Sequence, residues 1–399
     1  MQTLAAGSAF TDARGSRGRH RAPLLAALAL TAAAPGWAQV DHAGTPLTVD
    51  HYVRVVSKAP SMEGQLAQIY VRERVLPGTA LRARSLEDRV VVFVHGAGTP
   101  AEVAFDPPGA SWMAYLAEAG YDVFSMDMTG YGRSTRPAAM NDPCNLPEAQ
   151  QADFVPTLIP ESCPPSWGFA ATTIESDWHD LDAVVDYVRE LRGVERVHLA
   201  AWSLGGPRAG GYAARHPEKV STAILLSPAY GRTRPAGPPA SLPAPGSTMS
   251  KQSYADFVAN WDRQLGCAGQ LEPEVRASVW TAMLESDPVG ATWGSGVRRA
   301  PSVTTWGWGR EEVARQQTPM LLFAPETDGQ VSPERVAELY QDLGSSSKVL
   351  AYVACASHNA MWETSRHLLF EASLEWLRDR SVGGVKAGEV RLAAEEQSE

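Results

Sequence analysis

The chain lacks several features whose absence narrows its function. Beyond the N-terminal segment it has no cluster of Lys and Arg, and its formal net charge is -10. Nucleic-acid binding therefore has no electrostatic basis, because phosphate contacts need clustered cations. The apolar run from Ala22 to about Ala34 is too short to cross a bilayer, so no stable membrane insertion is expected. Cysteine is scarce: there are four, and none stands in a C-x-x-C or Cys/His spacing, so no metal site is expected. There is no internal repeat, which excludes solenoids and propellers. With 44% hydrophobic and 20% charged residues, the 399-residue chain has the balance of a globular protein with one sizeable core.

What is present begins with a targeting pattern. Arg14, Arg17, Arg19 and Arg21 precede the apolar run, and Gly36-Trp37-Ala38 follows it. Small residues at the first and third of those positions suit a signal peptidase, so export with cleavage after Ala38 is expected. In an exported chain, an even cysteine count makes disulfides plausible. Cys144 and Cys163 share one Pro-rich excursion and are the favoured pair, leaving Cys267 with Cys355.

Strand and helix patterns alternate along most of the chain. Leu47–Val56 and Gln65–Val75 alternate as strands do. The continuous apolar run at Asp88–Val94 reads as a strand covered on both faces, and Tyr121–Met126, Arg196–Ala201, Val220–Leu226, Met320–Ala324 and Lys348–Ala354 read as further strands. Helical spacing falls between them, most plainly from Glu175 to Arg192. The rhythm predicts an α/β fold with a mostly parallel sheet flanked by helices. Residues 39–230 and 317–380 form its core. The stretch 231–316, which holds Trp261, Trp280, Trp293, Trp306 and Trp308, breaks the rhythm and reads as a lid insertion. The excursion 135–172 is expected to border the site. The Gly-, Ala- and Glu-rich residues 381–399 are expected to be a disordered tail.

In parallel sheets, ligands bind beyond the carboxyl ends of the strands, so the residues just after each strand carry the functional argument. Ser203 lies in Ala201-Trp202-Ser203-Leu204-Gly205-Gly206, between a strand and a helix. Gly205 permits the sharp turn that lifts the hydroxyl clear, although Ala201 stands where a glycine is usual. A helix-capping serine is the plainer alternative. His95-Gly96-Ala97-Gly98 follows another strand. There the N–H of Ala97, with that of Leu204, would make a two-donor oxyanion hole. His95 itself reads as structural. Asp328 follows a third strand and is preferred over Glu326 as the acid, because the turn ending in Gly329 sets it further out. His358 follows a fourth, where an imidazole would reach both Ser203 and Asp328.

The order serine, acid, histidine, each after a strand, resembles the α/β-hydrolase superfamily. So do Val94-His95-Gly96-Ala97-Gly98, the run Asp127 to Ser134, the turn around Ser203, and Ser227-Pro228-Ala229. The resemblance covers roughly 85–230 and 317–380. It implies a catalytic triad of Ser203, Asp328 and His358, no cofactor and a small-molecule substrate, with Asp127 structural. A serine rather than an aspartate nucleophile points to carboxylic esters, lactones or thioesters, and a C–C bond beside a carbonyl is also possible. Trp202, Gly96 and Gly98 are candidate substrate contacts, and the insertion's tryptophans suggest an apolar or aromatic pocket, with insertion core as the competing reading. Two other classes stay open: a non-catalytic binding protein of the same fold, and an acyltransferase that excludes water.

Overall fold

Nine strands build one sheet, and the buried ones are those whose sequence is predominantly apolar. In this computed structural model the described residues are 44–78, 85–294 and 296–394. The expected export signal and its cleavage point after Ala38 lie outside them. The strands are β1 (Leu47–Val56), β2 (Leu66–Val75), β3 (Val90–Val94), β4 (Asp122–Met126), β5 (Val197–Trp202), β6 (Val220–Leu226), β7 (Met320–Pro325), β8 (Lys348–Val353) and β9 (Gly388–Leu392). Their order across the sheet is β1-β2-β4-β3-β5-β6-β7-β8-β9. β2 runs antiparallel to β1 and to β4, and every other neighbouring pair is parallel. Every residue of β3 to β7 is buried, while β1 at the edge is mostly exposed. This is the predicted α/β architecture.

Successive residues of one strand feed opposite layers, because side chains alternate across a sheet. Val90, Val92 and Val94 pack with α2 (Ile174–Arg192), α3 (Gly205–Arg215) and α4 (Pro333–Asp342). Val91 and Phe93 pack on the other face with α1 (Trp112–Glu118) and α5 (Arg366–Asp379). Each apolar side chain buried this way stabilises by about 1.5–3 kcal/mol. α2 shows how sequence sets a helix's ends. Thr173 and Ser176 form a reciprocal capping box, Glu175 and Asp177 occupy the first turn, and Gly193 closes the helix at φ +63°. Replacing Thr173 by Ala would cost about 1 kcal/mol.

Two expectations change. The tail is not disordered throughout: β9 joins the sheet edge, pairing Val349 with Gly388 and Val353 with Leu392. Edge pairing to an existing parallel strand supplies backbone partners that a Gly- and Glu-rich composition does not advertise. The excursion 135–172, expected to border the site, contributes no residue to the cavity described below. It folds into short helical turns, including Glu148–Gln151, held by the Cys144–Cys163 disulfide.

The segment 231–316 holds helices at Tyr254–Asp262, Pro273–Ser286, Pro288–Thr292 and Arg310–Arg315. It also holds an antiparallel pair, Ser250–Gln252 with Val297–Arg299. Its tryptophans are mostly core. Trp306 and Trp308 enter the layer around α2 and α3, and Trp261 packs against Trp362 on the opposite face. Gly210 is required in α3 because a Cβ there would overlap Trp308.

Candidate active site

The turn after β5 places Ser203. Its backbone is left-handed, φ +57°, which is rare for a residue with a Cβ. The turn is fixed on both sides: Ser203 N–H donates to Leu226 O, while Ser203 O accepts from the N–H groups of Gly206 and Ala229, each at 2.9 Å. A Cβ at Gly205 would overlap Val94 O, and one at Gly206 would overlap Pro228. Ala201 is fully buried beneath the turn, so its methyl group fits where a glycine is usual.

His358 and Asp328 come from the loops after β8 and β7. His358 Nδ1–H donates to Asp328 Oδ2 at 2.8 Å. The other carboxylate oxygen accepts from the N–H groups of Gln330 and Val331, both at 2.8 Å. The carboxylate is thus fully engaged and buried, which fixes the imidazole tautomer with Nε2 free to act. Glu326, the rival acid, points outward and pairs with Arg391 at 2.6 Å. Ser203 and His358 line the same cavity, of about 90 Å³. No hydrogen bond joins their side chains in this resting geometry. Such bonds often tighten only with substrate present.

Ala97, Gly98 and Thr99 form one wall of that cavity. Among the described residues, no acceptor takes the N–H of Ala97 or of Leu204. Gly96 does not line the cavity: it stands one layer back, where a Cβ would press on Ser203 Cβ. Trp202 does line it, and its Nε1–H donates to His358 O at 2.8 Å. The aromatic walls are Trp202, Phe257 and Trp362. None of the five tryptophans singled out in 231–316 reaches the cavity, and neither does any residue of 135–172. A larger cleft, about 390 Å³, lies beside the Cys144–Cys163 disulfide but has no histidine in its wall.

A second set of residues holds these loops, and sequence reasoning missed it. Arg208, one turn into α3, is fully buried and pairs with Asp177 at 2.7 Å. Its Nη1 donates to His95 O and Gly96 O, each at 3.0 Å, and so fixes the Ala97 loop from below. His95 is structural, as expected. Its Nε2 accepts from Met128 N–H at 3.0 Å and Nδ1–H donates to Gly96 O at 2.7 Å. Burial, with Arg208 beside it, holds its pKa well below the ordinary histidine value. Asp127 is structural too, accepting from Ala101 N–H and Arg133 N–H. Tyr131 reaches across to the carbonyls of both Ala97 and Ala300 at 2.7 Å.

The histidine loop is held by Glu363. Its buried carboxylate accepts from Ser357 N–H, Trp261 Nε1–H and Gln270 Nε2–H at 2.8–2.9 Å. The second disulfide, Cys267–Cys355, ties the same loop to segment 231–316. A signal was available for both helpers: each lies five residues after a candidate catalytic residue. Among the described residues, no group of His, Cys, Asp and Glu is placed to hold a metal ion. No helix among them is long and apolar enough to cross a membrane.

A sequence model of the family described as "alpha/beta hydrolase fold" matches residues 89–364. No curated protein matches the sequence. Among solved structures, the chain is similar to the naproxen esterase of Bacillus subtilis, at 14% identity and TM-score 0.45, over 83% of this chain and 92% of that one. It is also similar to a thermophilic esterase from Thermogutta terrifontis, at 15% identity and TM-score 0.47, over 82% of this chain and 98% of that one.

Proposed function

The chain belongs to the alpha/beta hydrolase fold family, and from that premise we propose that it is an exported serine hydrolase cleaving a carboxylic ester through an acyl-enzyme. The observation that carries this reading is the 2.8 Å bond from His358 Nδ1 to Asp328, with Ser203 across the same small cavity. Neutral His358 takes the proton of Ser203 as Oγ attacks the ester carbonyl carbon. The N–H groups of Ala97 and Leu204 stabilise the oxyanion. Protonated His358 gives its proton to the leaving alkoxide, and water then repeats the sequence on the acyl group. Asp328 orients the ring and favours its charged form.

The cavity volume favours a short acyl group, since sites for larger ligands run to roughly 300–1,000 Å³. Trp202, Phe257 and Trp362 suit an apolar or aromatic portion of the substrate. Segment 231–316 acts as the lid in this reading, because it contributes Phe257 to the cavity wall. The two disulfides are compatible with export.

A fluorophosphonate probe tests the assignment. The wild type should be labelled and should release free acid from p-nitrophenyl acetate and butyrate without an added acceptor. Ser203→Ala should lose both properties, with a rate fall on the order of 10⁴-fold or more. A wild type that stays unlabelled and hydrolyses no ester would overturn the reading and favour a binding protein.

A further inference from the structure

The cavity holds one full positive charge that no carboxylate among the described residues answers. Arg299 ends the strand Val297–Arg299 and lines the cavity beside Ala97 and Gly98. Its guanidinium lies against Gly98 so closely that a Cβ there would overlap it. Nη2 donates to Gln252 Oε1, while Nε has no acceptor. Among the described residues, no carboxylate comes within salt-bridge distance of it. Its neighbour Arg298 is answered by Asp287 at 2.6 Å, and Arg208 by Asp177 at 2.7 Å. Asp256, an acid whose charge is felt at Arg299, is exposed and hydrogen-bonded to Ser253. Tyr131 has its hydroxyl committed to two carbonyls. The other polar side chains around the cavity are Ser203, His358, the hydroxyl of Thr99 and the neutral amides Gln252, Asn260, Gln330 and Asn359, with no carboxylate among them. Desolvation at this wall pulls the guanidinium down from the ordinary arginine value, yet it stays charged at neutral pH. A cation with donors left over, partly removed from water, is stabilised by an incoming anion.

We propose that Arg299 anchors an anionic subsite, and that the substrate is a small ester bearing a free carboxylate a few bonds from the scissile carbonyl. This rests on the serine-hydrolase reading and names its substrate class. The planar guanidinium matches a carboxylate's two oxygens, and the small cavity excludes bulkier anions. With Arg299 at the Ala97–Gly98 wall, a bound carboxylate holds the ester carbonyl toward the Ala97 and Leu204 N–H groups. Hydrolysis then consumes one water and yields the dicarboxylate, the alcohol and one proton.

The test compares monomethyl succinate with its neutral analogue methyl pentanoate, following acid release in a pH-stat. The wild type should favour the charged ester in kcat/KM. Arg299→Met should lower the ratio of the two values roughly tenfold to a hundredfold, and Arg299→Lys should lower it less. Raising salt should shrink the wild-type preference. A second arm needs no turnover: succinate should raise the melting temperature of Ser203→Ala but not of Ser203→Ala combined with Arg299→Met. If the wild type favours the neutral ester and succinate gives no shift, the anionic subsite is refuted while the hydrolase reading stands. If succinate shifts the melting temperature yet no ester is cleaved, the subsite stands and the hydrolase reading fails. Should Arg299→Met not fold, the wild-type preference, its salt dependence and Arg299→Lys still decide the matter.

Discussion

The two arginines that meet the Ala97 loop are opposite cases. Arg208 approaches from the sheet side, fully buried, with Asp177 and two carbonyls using its donors. Arg299 approaches from segment 231–316, lies against Gly98, and pairs with no carboxylate among the described residues. The same contrast runs through the whole site. On the sheet side, Asp328, Glu363 and His95 each have their hydrogen-bonding groups engaged within the chain. On the side of segment 231–316, the amides of Gln252 and Asn260 face the cavity with a cation that, among the described residues, no carboxylate pairs. A wall whose polar groups are paired internally positions catalytic atoms. A wall with donors to spare recognises a ligand.

That contrast can be broken first at the buried pair. Asp177→Ala strands the Arg208 charge in the core and should cost about 3–5 kcal/mol in denaturant unfolding. The double change of Asp177→Leu and Arg208→Met should recover most of the loss. Strictly additive losses would mean that the two side chains do not act as a pair.

The next effect is on acid stability. His198 in β5 is fully buried, and burial pulls its pKa down to about 4, with Arg380 adding to the effect. Between pH 6.5 and 4 the unfolded chain binds a proton at this position and the folded chain does not. The stability is therefore complete above about pH 6.5 and falls as pH drops toward 4, by about 3 kcal/mol from this residue. His95, also held neutral, steepens the fall. Unfolding curves from pH 7 to 4 check this, and His198→Asn should flatten the slope. A slope unchanged by that substitution would remove His198 from the account.

The smallest effect sharpens the comparison. Arg299→Met should change unliganded stability by about 1 kcal/mol or less, because no carboxylate is left without its partner. Measured beside Arg208→Met, which leaves Asp177 buried alone, it should be the milder change by a clear margin. Equal losses would show that Arg299 is structural.

Much of the fold is legible in the sequence because parallel strands covered on both faces must be continuously apolar. Val90–Val94 and Met320–Ala324 announce themselves, and the residues after them are then the ones to inspect. The preference for Asp328 over Glu326 follows from turn length, and the structure gives the physical reason: Glu326 is turned out to Arg391. The strand Gly388–Leu392 was hidden because an edge strand needs only one backbone partner and little apolar surface. The tryptophans of 231–316 misdirect for another reason. Spacing does not tell a core indole from a cavity wall, and Trp306 and Trp308 serve the core. Arg298 and Arg299 are adjacent and alike in sequence, and only the position of Asp287 separates the paired one from the free one.

Ser203, Ser227 and Cys355 are all left-handed, at φ +57°, +48° and +51°, and each lies just beyond the end of a sheet strand. A side chain in that conformation costs on the order of 1–2 kcal/mol, and glycine would relieve it. The working polypeptide is accordingly not its own most durable version. If Ser203 is the nucleophile proposed above, a chain with glycine at position 203 would outlast it and hydrolyse nothing, so selection for longevity and selection for turnover pull in opposite directions at this residue.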